Sequence, residues 1–110
     1  MLYIDKDNNI TLTRGDALTL TVGMKKGNQT YTPQEGDTIR FAISKRYLGE
    51  VGYTLMLEKA IPTDTLQLSL TSEETKLANG VYNYDVEITH GDGKPDTFIS
   101  ARFTITGECK

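Results

Sequence analysis

Apolar residues recur at every second position through most of this chain. In residues 16–24, Leu18, Leu20 and Val22 share one face, with Thr19, Thr21 and Gly23 on the other. Residues 37–44 align Ile39, Phe41 and Ile43, and residues 65–70 align Leu66, Leu68 and Leu70. Residues 80–89 set Tyr82, Tyr84, Val86 and Ile88 against Asn83, Asp85 and Glu87. Residues 97–106 set Ile99, Ala101, Phe103 and Ile105 against Ser100, Arg102 and Thr104. Successive side chains of a strand point to opposite faces, so this period predicts antiparallel sheets packed on one side and solvated on the other. Weaker runs at 10–13, 53–59 and 2–4 bring the expectation to seven or eight strands.

Turn-forming residues separate these runs: Asp7-Asn8-Asn9, Arg14-Gly15-Asp16, Lys26-Gly27-Asn28, Pro33-Gln34-Glu35-Gly36, Pro62-Thr63-Asp64 and Gly91-Asp92-Gly93. One helical signal interrupts the strands. Thr71-Ser72-Glu73-Glu74 has the Thr-x-x-Glu spacing of a capping box, which predicts a short helical turn near residues 72–78 that ends at Asn79-Gly80. With no long amphipathic helix to cover a sheet, the apolar faces must cover each other. The expected architecture is therefore a single all-β sandwich domain over residues 1–110.

The stretch from Leu70 to Tyr84 refines that picture. A strand ends, a turn crosses over, and Gly80 precedes Tyr82 by two positions. In immunoglobulin-like domains this arrangement marks the crossover between sheets, where a tyrosine hydroxyl bonds back to the crossover backbone as a tyrosine corner. On that reading the fold is an immunoglobulin-like antiparallel β-sandwich, with Tyr82 and Gly80 at the structural corner. Tyr84 then sits where antibody domains carry their second cysteine. The chain has one cysteine and no tryptophan, so the antibody disulfide and its packing partner are absent. Ordinary core packing, with the hydroxyls reaching the rim, explains the two tyrosines equally well.

Composition narrows the function classes. The 110 residues carry a formal charge of −3 with acids and bases interleaved, and no basic cluster marks a phosphate-backbone binder. Nucleic acid is not an expected partner, and neither is a membrane, since no apolar run reaches spanning length. Cys109 has no partner for a disulfide, and the start Met1-Leu2-Tyr3-Ile4-Asp5 lacks the pattern of a signal peptide. No export by an evident signal is expected.

Candidate chemistry is sparse. His90, the single histidine, falls beside Gly91-Asp92-Gly93 and reads as a solvated turn residue. A catalytic histidine would need rigid partners on both sides, so no enzyme activity is expected. Asp5-Lys6-Asp7-Asn8-Asn9 spaces oxygen ligands like the start of a calcium loop, but Ile10 stands where that loop needs glycine; a self-bonded turn is expected instead. Arg14-Gly15-Asp16 spells an adhesion tripeptide and reads as a turn. No metal or cofactor is expected. Residues 44–53 form the longest break in alternation and hold apolar residues outside any clear strand. Tyr47, Leu48, Val51 and Tyr53 are therefore the candidate interaction surface, with Tyr31 a further aromatic expected at the surface. A bulged hairpin covering the sandwich end explains the segment equally well.

Ile10-Thr11-Leu12-Thr13-Arg14-Gly15-Asp16, Tyr31-Thr32-Pro33-Gln34-Glu35-Gly36-Asp37, Gly80-Val81-Tyr82-Asn83-Tyr84-Asp85-Val86 and the ending Phe98 to Phe103-Thr104-Ile105 carry a resemblance over nearly the whole chain. Their order resembles small phage and prophage proteins of Gram-positive gut bacteria, and the amino-terminal immunoglobulin-like domain of phage baseplate upper proteins. The resemblance implies a non-catalytic structural or assembly module of a tail, baseplate or head, located in a virion or in the bacterial cytoplasm during assembly and acting through contacts with other virion proteins or with itself. It brings no catalytic residues. Baseplate upper proteins continue into long carboxy-terminal regions, whereas the sequence here stops at Lys110. The alternative is a carbohydrate- or cell-surface-binding β-sandwich in which exposed tyrosines stack on sugar rings.

Overall fold

The computed structural model describes residues 2–26, 28–46 and 52–107. Ten strands follow in order: β1 (Leu2–Ile4), β2 (Ile10–Thr13), β3 (Leu18–Thr21), β4 (Lys25–Lys26), β5 (Gln29–Thr30), β6 (Thr38–Lys45), β7 (Thr54–Ile61), β8 (Gln67–Leu70), β9 (Gly80–Thr89) and β10 (Pro95–Thr106). Six of them form one sheet in the order β1-β2-β10-β9-β6-β7, while β3-β8 and β4-β5 form two-stranded sheets. The β3-β8 pair packs on the large sheet, making the two-layered β structure that the alternation requires. No helix forms among the described residues, and so none is long and apolar enough to cross a membrane.

Strand β9 organises the core. It pairs with β10 on one side and β6 on the other, so the buried faces of all three strands coincide. Tyr82, Tyr84, Val86 and Ile88 of β9 meet Phe41 and Ile43 of β6 and Phe103 and Ile105 of β10, all at most 5% exposed. Leu18, Leu68 and Leu70 close the core from the opposite layer. Phe41, Tyr84 and Phe103 form an aromatic trio with ring centroids 5.5–6.3 Å apart in tilted and edge-on arrangements, which aromatic quadrupoles favour.

Several expectations need correction. The large sheet is mixed, because β2 runs parallel to β10, pairing Phe103 with Ile10 and Ile105 with Leu12. Alternation reports which face is buried and is silent on strand direction. The helical turn near 72–78 is not formed; residues 72–75 make hydrogen-bonded turns only. The capping box itself is present, with Thr71 N donating to Glu74 Oε1 at 2.9 Å and Glu74 N to Thr71 Oγ1 at 3.2 Å. Thr75 N still bonds Thr71 O at 3.2 Å, but the next amide, Lys76 N, turns to Glu73 O at 3.2 Å. Thr75 Oγ1 donates to Ser72 O at 3.1 Å, so the four-residue spacing of a helix is not continued. Arg14 Nε donates to Leu77 O at 3.2 Å, and Thr75 Oγ1 donates to Asp16 O at 2.8 Å.

Smaller departures have local causes. β8 begins at Gln67 because Leu66 adopts a positive φ of 56° and closes a turn onto Pro62 O at 2.9 Å. β10 starts two residues earlier than expected, at Pro95, where a strand tolerates the missing donor. A bulge between Thr97 and Ile99 then lets Phe98 and Ile99 both pack on the core. The short β4-β5 hairpin has no alternation to announce it.

The core predicts its own sensitivities. Phe41→Ala should cost about 3–5 kcal/mol in urea unfolding, whereas Ser100→Ala on the solvated face should stay within about 0.5 kcal/mol. Tyr82→Phe keeps the ring but removes the hydroxyl bond described below, and should cost about 1–2 kcal/mol.

Candidate functional site

A cluster of ionisable side chains lies where two turns meet at one end of the sheet. Gly36 (φ 88°) ends the turn before β6, and its backbone touches that of Gly91 so closely that a Cβ on Gly36 would lie 3.2 Å from Gly91 Cα. That contact brings Asp37, at the start of β6, beside His90, at the end of β9. Tyr31 Oη donates to Asp37 Oδ2 at 2.6 Å, and Gln34 N donates to the same oxygen at 2.8 Å. His90 Nδ1 lies 3.1 Å from Asp37 Oδ1 and 3.4 Å from Tyr31 Oη, and its Nε2 lies 3.7 Å from Asp96 Oδ2. Phe98 packs on Tyr31 with ring centroids 5.1 Å apart.

His90 is therefore a half-buried latch between turns, and not the solvated residue that a glycine-rich turn suggests. The sequence hides this because Tyr31 and Asp37 are more than fifty positions away and are delivered by tertiary contact. The Asp37 carboxylate is held below the usual carboxylate range, first by the Tyr31 hydroxyl and then by the Gln34 amide, with His90 adding a smaller push. The same bond, with burial, pushes the Tyr31 phenol up to about 12. The Tyr31 hydroxyl and the Gln34 amide are both aimed at Asp37, and no serine, threonine or cysteine completes a nucleophile–base pair with His90 among its described contacts.

Other motifs are absorbed by the backbone. Asp5 Oδ1 accepts from Asp7 N at 2.8 Å and Asn9 N at 3.0 Å, and Oδ2 accepts from Asn9 Nδ2 at 3.1 Å. Asn8 takes the left-handed conformation at φ 66°, and these bonds hold the Asp5 carboxyl below its usual range. Among the described residues no three metal-ligating side chains converge. Gly15, at φ 85°, turns the chain so that Asp16 N reaches Thr13 O at 3.0 Å, while Arg14 is tied to the crossover.

The tyrosines of β9 act as pins. Tyr82 Oη donates to Ala78 O, four residues upstream across Gly80, at 2.5 Å, and Lys45 Nζ lies 4.8 Å from the centre of its ring. Tyr84 Oη donates to Asn8 O at 2.5 Å and so fixes the β1–β2 turn. Both rings stay in the core while their hydroxyls satisfy loop carbonyls.

Of the candidate interaction surface, Tyr53 is 60% exposed, and Tyr47, Leu48 and Val51 lie outside the described residues. Leu55 joins Tyr53 at 54% exposure at the start of β7. The opposite edge strand, β1, exposes Leu2, Tyr3 and Ile4 in succession. Alternation missed this patch because a three-residue strand carries too little pattern.

A cleft of about 190 Å³ opens between the layers. Phe41, Leu68, Tyr84 and Val86 form its floor, and Ile4, Asn8, Thr21 and Gly23 stand at its mouth. No charged side chain lines it. No protein-family model matches the chain, and no curated protein matches its sequence.

The polar latch sets a pH signature of known sign. A depressed Asp37 contributes stability that is present above about pH 4 and is lost as pH falls through its lower folded value. A raised Tyr31 contributes stability present below about pH 10 and lost as pH rises through about 12. Asp37→Asn should flatten the acid limb of a urea-midpoint-against-pH profile, and Tyr31→Phe should weaken both limbs. Parallel profiles for wild type and both variants would refute the latch.

Proposed function

We propose that the chain is a non-catalytic, phage-derived structural or assembly module with an immunoglobulin-like sandwich, working through contacts with other virion proteins or with its own copies. One observation carries the interaction reading. Of the six large apolar side chains exposed among the described residues, Leu2, Tyr3, Ile4 and Leu55 lie on the two edge strands of the large sheet and Tyr53 lies beside one; only Val81 does not. Edge strands offer unpaired backbone groups, and proteins that stay monomeric usually guard them with charge, proline or bulges. β1 carries no charge and no proline. Apolar side chains beside free backbone groups favour pairing with another chain.

The immunoglobulin-like assignment draws on the Tyr82–Ala78 bond across the Gly80 crossover. The non-catalytic reading draws on His90, whose described partners bind turns together. The phage assignment rests on the sequence resemblance.

The test is binding and self-association of the purified chain. Sedimentation velocity and pull-down against tail, baseplate and head proteins should detect an association that Tyr3→Lys or Leu55→Lys weakens at least about tenfold, since a charge on an edge opposes strand addition. A monomer at high concentration that binds no virion protein would overturn the proposal. Exposed Tyr53 favours carbohydrate stacking as a second reading; glycan-array binding abolished by Tyr53→Ala would support it, and a blank array would remove it.

A further inference from the structure

Beyond the edges of the large sheet, a third free edge borders the cleft. Among the described residues, strand β3 hydrogen-bonds β8 and no other strand. Val22 N donates to Leu66 O at 2.8 Å, and this bond lies in the same register as the pairs Leu20–Leu68 and Leu18–Leu70. Hydrogen-bonded pairs alternate along an antiparallel ladder, so Leu18, Leu20 and Val22 direct their amides and carbonyls at β8. Thr19 and Thr21 therefore direct theirs away from it, and both residues are exposed.

The same edge overlooks an unfilled cleft lined mostly by apolar side chains, with the polar Asn8 and Thr21 at its mouth. Two strands at about 4.8 Å spacing cannot span a face six strands wide. β8 lies toward β7, so the shortfall falls on the β3 side, above Ile99 and Ile4. The 190 Å³ cleft lies there, bounded by Thr21 and Gly23 on one side and Ile4 and Asn8 on the other. An apolar cavity near 150 Å³ accommodates one benzene ring, so this cleft is sized for a single aromatic or branched aliphatic side chain. With no charged lining residue, it would strand a charged one without a partner.

We infer that the β3 edge and its cleft receive an extended segment of a partner polypeptide, which pairs with Thr19 and Thr21 and inserts one bulky uncharged apolar side chain between the layers. The backbone edge selects an extended chain and the cleft selects its anchor, the division of labour of strand addition. This deepens the proposed function by naming the kind of partner, and it rests on the interaction reading.

The probe is the capped peptide acetyl-Thr-Val-Thr-Leu-Thr-Val-amide, titrated into the full ¹⁵N,¹³C-labelled chain. Binding should shift the Thr19 and Thr21 amides together with Ile4, Leu20 and Ile99 side-chain signals, and slow amide exchange at Thr19 and Thr21 at least about tenfold. Thr21→Pro removes an outward amide without touching the β8 ladder, and should weaken binding at least about tenfold. The same peptide with an N-methylated leucine should lose affinity equally, so the result stands even if Thr21→Pro impairs folding.

Shifts confined to β1 or β7 would overturn this site while preserving edge pairing. Shifts from benzene but not from the peptide would make the cleft a small-molecule cavity and overturn it too. Self-association abolished by Thr21→Pro would put a second copy in the slot and overturn the assignment to a different partner. No response to the peptide would overturn the inference, and the virion-binding assay would judge the proposed function separately.

Discussion

The six-stranded sheet presents one apolar face, built from β2, β6, β9 and β10, and only two regular strands lie across it. Most of the remaining architecture answers that shortage of cover. Leu12, Phe41, Ile88 and Phe103 are fully buried, although β3 and β8 are too narrow to reach them all. The connections supply the rest. Val22 and Met24 follow β3 into the core, and Leu66, Leu77 and Tyr31 pack against it from turns. Because loops carry unpaired backbone groups, using them as cover requires that those groups be bonded individually.

That requirement accounts for the long-range polar contacts. Tyr82 and Tyr84 are core residues whose hydroxyls reach out to Ala78 and Asn8, so the same side chains that need cover hold the cover down. Arg14, Ser72 and Thr75 stitch the crossover to the turn before β3, with Ser72 Oγ donating to Gly15 O at 2.6 Å. Glu74 serves twice, accepting from Thr71 N and from Lys59 Nζ at 2.7 Å, and so joins the crossover to β7. The Tyr31–Asp37–His90 group does the same work at the opposite turn. The polar clusters of this protein are fasteners for irregular backbone laid over an apolar sheet.

This division explains what could be read in advance. β9 and β6 were legible because a strand flanked on both sides repeats one burial choice at every second residue. Ile39, Phe41 and Ile43, like Tyr82 through Ile88, followed that rule, although Ala42 on the other face of β6 is buried as well. The parallel β2–β10 pairing left no trace, since the pattern of Ile10 and Leu12 is the same whichever way the neighbour runs. Leu66 and Phe98 broke the period through a positive φ and a bulge, which are backbone events that side-chain identity barely encodes. The capping box at Thr71 was read correctly as a local bond, but the helix it announces ends where Lys76 N turns to Glu73 O. Tyr53 stood out as an apolar residue beyond a strand, whereas Leu2, Tyr3 and Ile4 were assigned to a strand without any sign that it would be bare. The His90 latch needed three segments at once and was beyond the reach of any window on the sequence.

The parallel pairing of β2 with β10 has a consequence in time. In the large sheet β10 separates β2 from β9, so β2 has no ladder but that with β1 until residues 95–106 exist. During synthesis the apolar strands at the start of the chain must wait through some eighty residues of elongation, unpaired with any strand but β1. The closing event then links segments more than ninety positions apart, a loop closure that costs entropy before any contact repays it. The local β1–β2 hairpin can form early, but the large sheet is complete only once its last strand has docked between β2 and β9.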